Sequence, residues 1–159
     1  MFTFDVVFDA KGLENQLEER FGIGSDAQYR WSEIVFNDSI PYMPAVTGTF
    51  INQCYLLSEP LFDQGELLYA AGDANHGYAH YLWEGILYVD PDYGKGAFYN
   101  PDFGFWSRPG VSKVPTSKPL EYNDGVNDDA GPRWVERAAA DLYPRWVSEM
   151  QGLIDAGKV

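Results

Sequence analysis

The chain has 159 residues, 45% hydrophobic and 22% charged, which is the composition of one folded domain with a core and not of a disordered segment. Its 24 acidic residues against 11 basic ones leave a formal charge of −13, which excludes the cationic footprint of a general nucleic-acid binder and disfavours anionic membrane surfaces. A lone cysteine, Cys54, excludes an internal disulfide and a structural zinc site, while aromatics at 16% supply large contact areas for cores and interfaces.

The start of the chain, MFTFDVVFDAKG, has no basic segment before its apolar residues and is not the pattern of a signal peptide. No apolar run approaches the ~18 residues of a membrane span. The expected setting is the cytoplasm of the cell that makes the chain. Phe2–Phe8 is β-branched and aromatic and reads as a strand. Leu13, Leu17 and Phe21 recur at four-residue spacing before Gly22, which predicts a short amphipathic helix with a glycine C-cap.

Ala27–Tyr42 carries Tyr29, Ile34, Val35 and Phe36 at spacings that suit a second helix. Pro44–Thr49 (PAVTGT) then punctuates the chain as a turn that starts a new element. Ile51–Ser58 is apolar and fits strand or helix. Glu59–Gln64 suits a loop, Gly65–Ala71 a strand, and Trp83–Asp90 another strand ended by Pro91.

From about 91 to 131 the composition shifts to Gly, Pro, Asn and Asp with scattered aromatics. About forty residues is too long for an ordinary connection, and loops of this kind are functional or become ordered on a partner. Phe98, Tyr99, Phe103, Phe105 and Trp106 argue for order, because they need something to pack on. The last stretch, about 132 to 155, reads as one C-terminal helix opened by Pro132. It is kinked or split near Pro144, whose ring removes a donor and crowds the preceding turn.

Candidate chemistry is sparse. His76, His80 and Glu84 are spaced as a three-ligand face if that segment is helical, but Asn75-His76-Gly77 reads as a turn, so no metal site is expected. Asp90-Pro91-Asp92-Tyr93-Gly94 resembles the start of a calcium loop but lacks the closing glutamate and carries Lys95, so a plain turn is expected. Nucleophile elbows, phosphate loops and dinucleotide fingerprints are absent from the sequence, and Cys54 sits in an apolar run. Carboxylates are plentiful without a distinctive pair, so a carbohydrate-binding module or glycosidase using surface aromatics is the alternative reading. The residues by themselves describe an interaction protein with no catalytic residues and no cofactor.

Several motifs follow one another in order. They are PAVTGT at Pro44–Thr49, GYAHYLWEG at Gly77–Gly85, VDPDYGKGAFYNPDFGFWSRPGVSKV, and Gly131-Pro132-Arg133-Trp134 opening the last helix. In this order they resemble the minor capsid proteins of tailed bacteriophages of Gram-positive hosts. More distantly they are similar to the neck or tail-completion proteins that join head to tail. The resemblance covers most of the chain after residue 40. Phe50 stands where the wider group has a leucine, and Val46 where it has an aspartate. The resemblance implies a virion protein of the head–tail junction, with no cofactor and no catalytic residues to carry over. It also implies a homo-hexameric ring between the head connector and the tail-terminator or tail-tube proteins, with DNA only passing through. The acidity would line the channel or merely aid solubility.

The expectation is therefore a single α+β domain over residues 1–159. A small antiparallel sheet packs with the N- and C-terminal helices, and a long ordered loop projects from it. The expected interface anchors are Tyr78, Tyr81 and Trp83, with Phe103, Phe105 and Trp106 in the long loop.

Overall fold

The computed structural model describes residues 10–71 and 77–159. The strand expected at Phe2–Phe8 lies outside the described residues, as does His76. The first helix, α1, runs Ala10–Phe21, and Gly22 N–H closes it on Glu18 O at 2.8 Å. The second, α2, runs Asp26–Ser39. Ser25 caps it by accepting from Gln28 N–H at 3.1 Å, and Asp26 in the first turn complements the helix dipole.

Beyond the buried Ala27, the core-facing stripe of α2 is Ser32, Val35, Phe36 and Ser39, the i, i+3, i+4, i+7 pattern of an amphipathic helix. Two of its four positions are serines. Their hydroxyls are satisfied locally: Ser39 donates to Val35 O at 2.7 Å, and Ser32 accepts from Gln28 Nε2 at 3.3 Å. Small serines on the buried face let neighbouring elements come close, and self-satisfied hydroxyls avoid the cost of an orphaned polar group.

A 3₁₀ turn at Ile40–Tyr42 leads to α3, Thr49–Ser58, entered through Gly48 at φ 75°. Ile51–Ser58, open to strand or helix from its sequence, is therefore helix. A second 3₁₀ turn, Glu59–Gln64, follows, and Phe62 within it is fully buried. The strand expected at Gly65–Ala71 does not form. That segment has no regular secondary structure and bonds to α3 side chains in place of a strand. Ser58 Oγ donates to Leu68 O at 3.0 Å and accepts Leu68 N–H at 2.8 Å. Cys54 Sγ lies 3.6 Å from Ala70 O.

The strand expected from Trp83 starts later. A short helix, α4, occupies Ala79–Glu84, and β1 is Ile86–Val89. Gly85 at φ 71° is the switch between them, a left-handed C-cap that only glycine adopts without strain. A side chain there would also collide with Pro132, whose Cβ lies 2.6 Å from the position a Cβ at Gly85 would take.

The long segment after Pro91 is ordered. It contains β2 (Phe98–Asn100), β3 (Gly104–Trp106) and β4 (Val114–Pro119). The strands make two separate antiparallel ribbons, β1–β4 and β2–β3. In the first, Pro115 and Pro119 cannot donate to the ladder and its register slips between Ile86 and Tyr88. The Thr116 hydroxyl compensates there, donating to Leu87 O at 2.7 Å.

The last helix, α5, spans Trp134–Asp155. It is not split at Pro144. Pro144 and Ala140 are both on the exposed side, so the carbonyl that the missing N–H frees is open to water. Pro132 is not in its first turn either. Arg133 at φ 51° is the N-cap, and its N–H donates to Trp83 O at 3.2 Å.

The fold is thus α+β, with helices α2, α3 and α5 and the second 3₁₀ turn packed mainly on one another. The core is an aromatic lattice. Phe36, Met43, Phe62 and Trp134 are fully buried. Trp134 meets Trp83 at 4.8 Å, Tyr69 at 5.2 Å and Phe50 at 5.8 Å, each close to perpendicular or steeply tilted, and Tyr69 stacks on Phe36 at 5.9 Å. Edge-to-face contacts of this kind add to the burial of apolar area. Midway along α5, Trp146 Nε1 donates to Asp38 Oδ2 at 2.6 Å, and Arg145 pairs with the same carboxylate.

Truncating the hub tests this arrangement. Trp134→Ala is expected to cost ~3–5 kcal/mol, the range for emptying a buried aromatic site, read as a fall in Tm by calorimetry. Among the described residues the Tyr69 hydroxyl is buried without a hydrogen-bond partner. Tyr69→Phe is therefore expected to leave Tm unchanged or raise it, since it removes an unsatisfied polar atom and keeps the ring.

Candidate interaction surface

The β2–β3 ribbon is built by its turn chemistry. In Asn100-Pro101-Asp102-Phe103-Gly104, proline presets its own φ, Asn100 Oδ1 accepts Asp102 N–H at 2.8 Å, and Gly104 turns at φ 82°. The register pairs Phe98 with Trp106 and Tyr99 with Phe105. Alternation along the strands places one aromatic pair on each face.

On one face Phe98 and Trp106 lie 4.9 Å apart, flanked by Tyr93 at 5.5 Å from Phe98 and Phe103 at 6.5 Å from Trp106. On the other, Tyr99 and Phe105 lie 5.2 Å apart. These rings pack on each other, yet Phe105 is 77% exposed and Tyr93, Tyr99 and Phe103 are each more than half exposed. Contiguous exposed aromatics of this size are the mark of a binding surface.

A two-stranded ribbon with three residues per strand is marginal by itself in water. This one is held at its base. Asp90 is buried and its carboxylate grips Arg108, with Oδ2 to Nε at 2.6 Å and Oδ1 to Nη2 at 2.7 Å. Arg108 Nη2 also meets Asp92 Oδ2 at 2.5 Å. Asp90 Oδ1 further accepts the N–H groups of Asp92 and Tyr93, at 2.9 and 3.2 Å. Arg108 covers the Tyr93 ring at 4.9 Å, and Lys113 donates to Gly96 O. Both ends of the excursion from Asp90 to Arg108 are thereby tied together by a bidentate, charge-assisted pair. The Arg108 hydrogen bonds, and then the backbone N–H groups, hold the Asp90 carboxyl below its ordinary value despite its burial. The two acceptor carboxylates raise the Arg108 guanidinium in turn.

The expected anchors divide. Phe103, Phe105 and Trp106 come together on the ribbon, and Trp106 is 39% exposed. Tyr78 is half-exposed at the start of α4. Tyr81 is half-buried against Tyr88 at 4.7 Å. Trp83 belongs to the core: it packs on Trp134 and Tyr69 beneath Arg133, which lies 5.3 Å from its ring. That packing leaves it half-buried, with less of its ring open to a partner than the ribbon aromatics have. Tyr93, Tyr99, Asp90 and Arg108 belong to the surface or its support and were not among the expected anchors. Their signal was the Asn-Pro-Asp-x-Gly turn flanked by two aromatic pairs, which reads as a hairpin.

The possible metal face also resolves. Ala79–Glu84 is helical, so His80 and Glu84 do stand one turn apart, but Glu84 pairs with Arg133 at 3.0 Å. Among the described residues no group of three His, Cys, Asp or Glu side chains is placed to hold a metal ion. Asp90–Gly94 is a turn, closed by Gly94 N–H on Asp90 O at 2.8 Å. Burial raises the Cys54 thiol to about 11, so it carries almost no thiolate at neutral pH.

No family model, curated protein or solved structure matches this chain. Among the described residues, no helix is long and apolar enough to cross a membrane.

The clamp predicts a pH dependence. A carboxyl whose folded value lies below its ordinary 3.8 stabilises the fold above that ordinary value, and the contribution is lost as pH falls through the depressed one. Asp90→Asn is expected to be less stable than the parent at neutral pH, with the gap closing in denaturation curves taken from about pH 5 to about pH 2. A gap that stays constant over that range means the carboxylate charge is not what holds the clamp.

Proposed function

We propose that the chain is a structural virion protein of a tailed phage, acting at the head–tail junction as a neck, tail-completion or minor capsid subunit. Copies associate in a homo-oligomeric ring, between a head connector on one side and tail-terminator or tail-tube proteins on the other. DNA passes through the ring without specific binding. The order of motifs from PAVTGT to the Gly131–Trp134 opening of α5 supports this reading.

The observation that carries it is the clamped aromatic ribbon. Its rings exceed what a monomer needs for its own core and stand on a support rigid enough to present them. A ring requires a surface on each subunit that meets a different surface on the next, and a projecting ribbon is one half of such a heterologous contact. The charge of −13 suits a channel along which DNA slides without adhering.

The test removes the rings and keeps the clamp. The double variant Phe105→Ala, Trp106→Ala is expected to keep its thermal unfolding transition, to stay monomeric by native mass where the parent forms a ring, and to fail to complete infectious particles. Completion of particles by the variant, or a parent that is monomeric at every concentration, would sink the proposal.

A further inference from the structure

A cavity of about 570 Å³ opens beside the base of the ribbon, between the α4–β1 limb and the segment from Ser107 to Lys113. It lies apart from the exposed ribbon faces and shares Arg108 with the clamp. One wall is aromatic, formed by Tyr78, Tyr81 and Tyr88 with His80, and the other presents Arg108 and Lys113. Its volume is that of a small-molecule site. We propose that this cavity binds an acidic sugar, a saccharide ring carrying one carboxylate or phosphate.

The aromatic wall selects the ring. Tyr81 and Tyr88 lie 4.7 Å apart at 49° and already touch, so they leave no parallel slot for a nucleobase to slide into. Tilted tyrosines of this kind offer ring surface to the C–H face of a sugar and hydroxyls to its rim. The charge of −13 repels an extended polyanion but leaves room for a ligand with one local charge to meet.

The opposite wall selects the acid. Arg108 spends Nε and Nη2 on Asp90 and Asp92, while its Nη1 has no partner among the described residues. Lys113 donates to the neutral carbonyl of Gly96, and no carboxylate among the described residues pairs with it. Among the described residues its charge and its other N–H donors are left for a ligand. The Ser107 and Ser112 hydroxyls lie on the same wall and supply donors and acceptors for sugar hydroxyls. Arg108 is neutralised by its two carboxylates, so Lys113 is the residue that sets the preference for an anion.

The test uses the full chain whether or not it forms a ring. Calorimetric titrations compare glucuronate, glucose 6-phosphate, glucose and inorganic phosphate. The two acidic sugars are expected to saturate the protein, with glucose and phosphate each weaker because one lacks the charge and the other the stacking face. Lys113→Met is expected to weaken both acidic sugars by about tenfold or more, with Lys113→Arg restoring most of the loss. Leu56→Ser, at an exposed position on α3, is expected to change nothing. Circular dichroism of each variant keeps a folding defect apart from a binding defect. The proposal is overturned if neither acidic sugar saturates the parent, if phosphate alone or neutral glucose matches them, or if folded Lys113→Met binds as the parent does.

Discussion

Burial of Trp134 is the contact on which the other parts of the molecule converge. Its indole is fully buried where α5 begins, and the rings around it come from α3 (Phe50), the irregular segment after Gln64 (Tyr69) and α4 (Trp83). Segments separated widely in sequence are thus fixed by one side chain. The entry to α5 is held to match: Arg133 adopts a left-handed conformation, Gly131 N–H donates to Tyr42 O at 3.1 Å, and Asn127 Nδ2 donates to Ile40 O and Met43 O, each at 2.8 Å. A non-glycine residue at positive φ costs energy, and it persists because the surrounding contacts over-determine it.

The same hub positions the surface. Trp83 fastens α4 to the core, Gly85 turns the chain into β1, and β1 ends at Asp90. Asp90 then holds Arg108, and the ribbon between them projects. The path from the indole of Trp134 to the exposed ring of Phe105 therefore runs through one short helix, one strand and one buried ion pair. A buried carboxylate is tolerable there because both oxygens are occupied by donors and its counter-charge is bidentate. The cavity lined by Tyr78, Tyr81 and Tyr88 lies along the same path, which is why its cationic wall shares Arg108 with the clamp.

Trp83 shows how composition misleads. In YAHYLWEG it sits among residues that look alike as aromatics. The short helix sends Trp83 inward, leaves Tyr78 half-exposed and lays Tyr81 on Tyr88. Glu84 then pairs with Arg133, fifty positions away to the nearest ten, and so covers the Trp83 side of the core. Gly65–Ala71 shows the converse. Its residues suit a strand, but its partners include the Ser58 hydroxyl and the Cys54 thiol, and it forms no ladder.

What the sequence determined by itself was local. The helical spacing of α1 and α2 and the length of α5 are written in neighbouring residues, because a helix satisfies its backbone within a few positions. The α+β class and the aromatic character of the segment after Pro91 were legible for the same reason. Tertiary structure alone decided which aromatics are core and which are surface, that the strands form two ribbons, and that Asp90 and Arg108 are the support of one of them. Those outcomes depend on contacts between segments far apart in the chain. Pairing of that kind is fixed by which donors, acceptors and apolar faces remain open once the helices have packed.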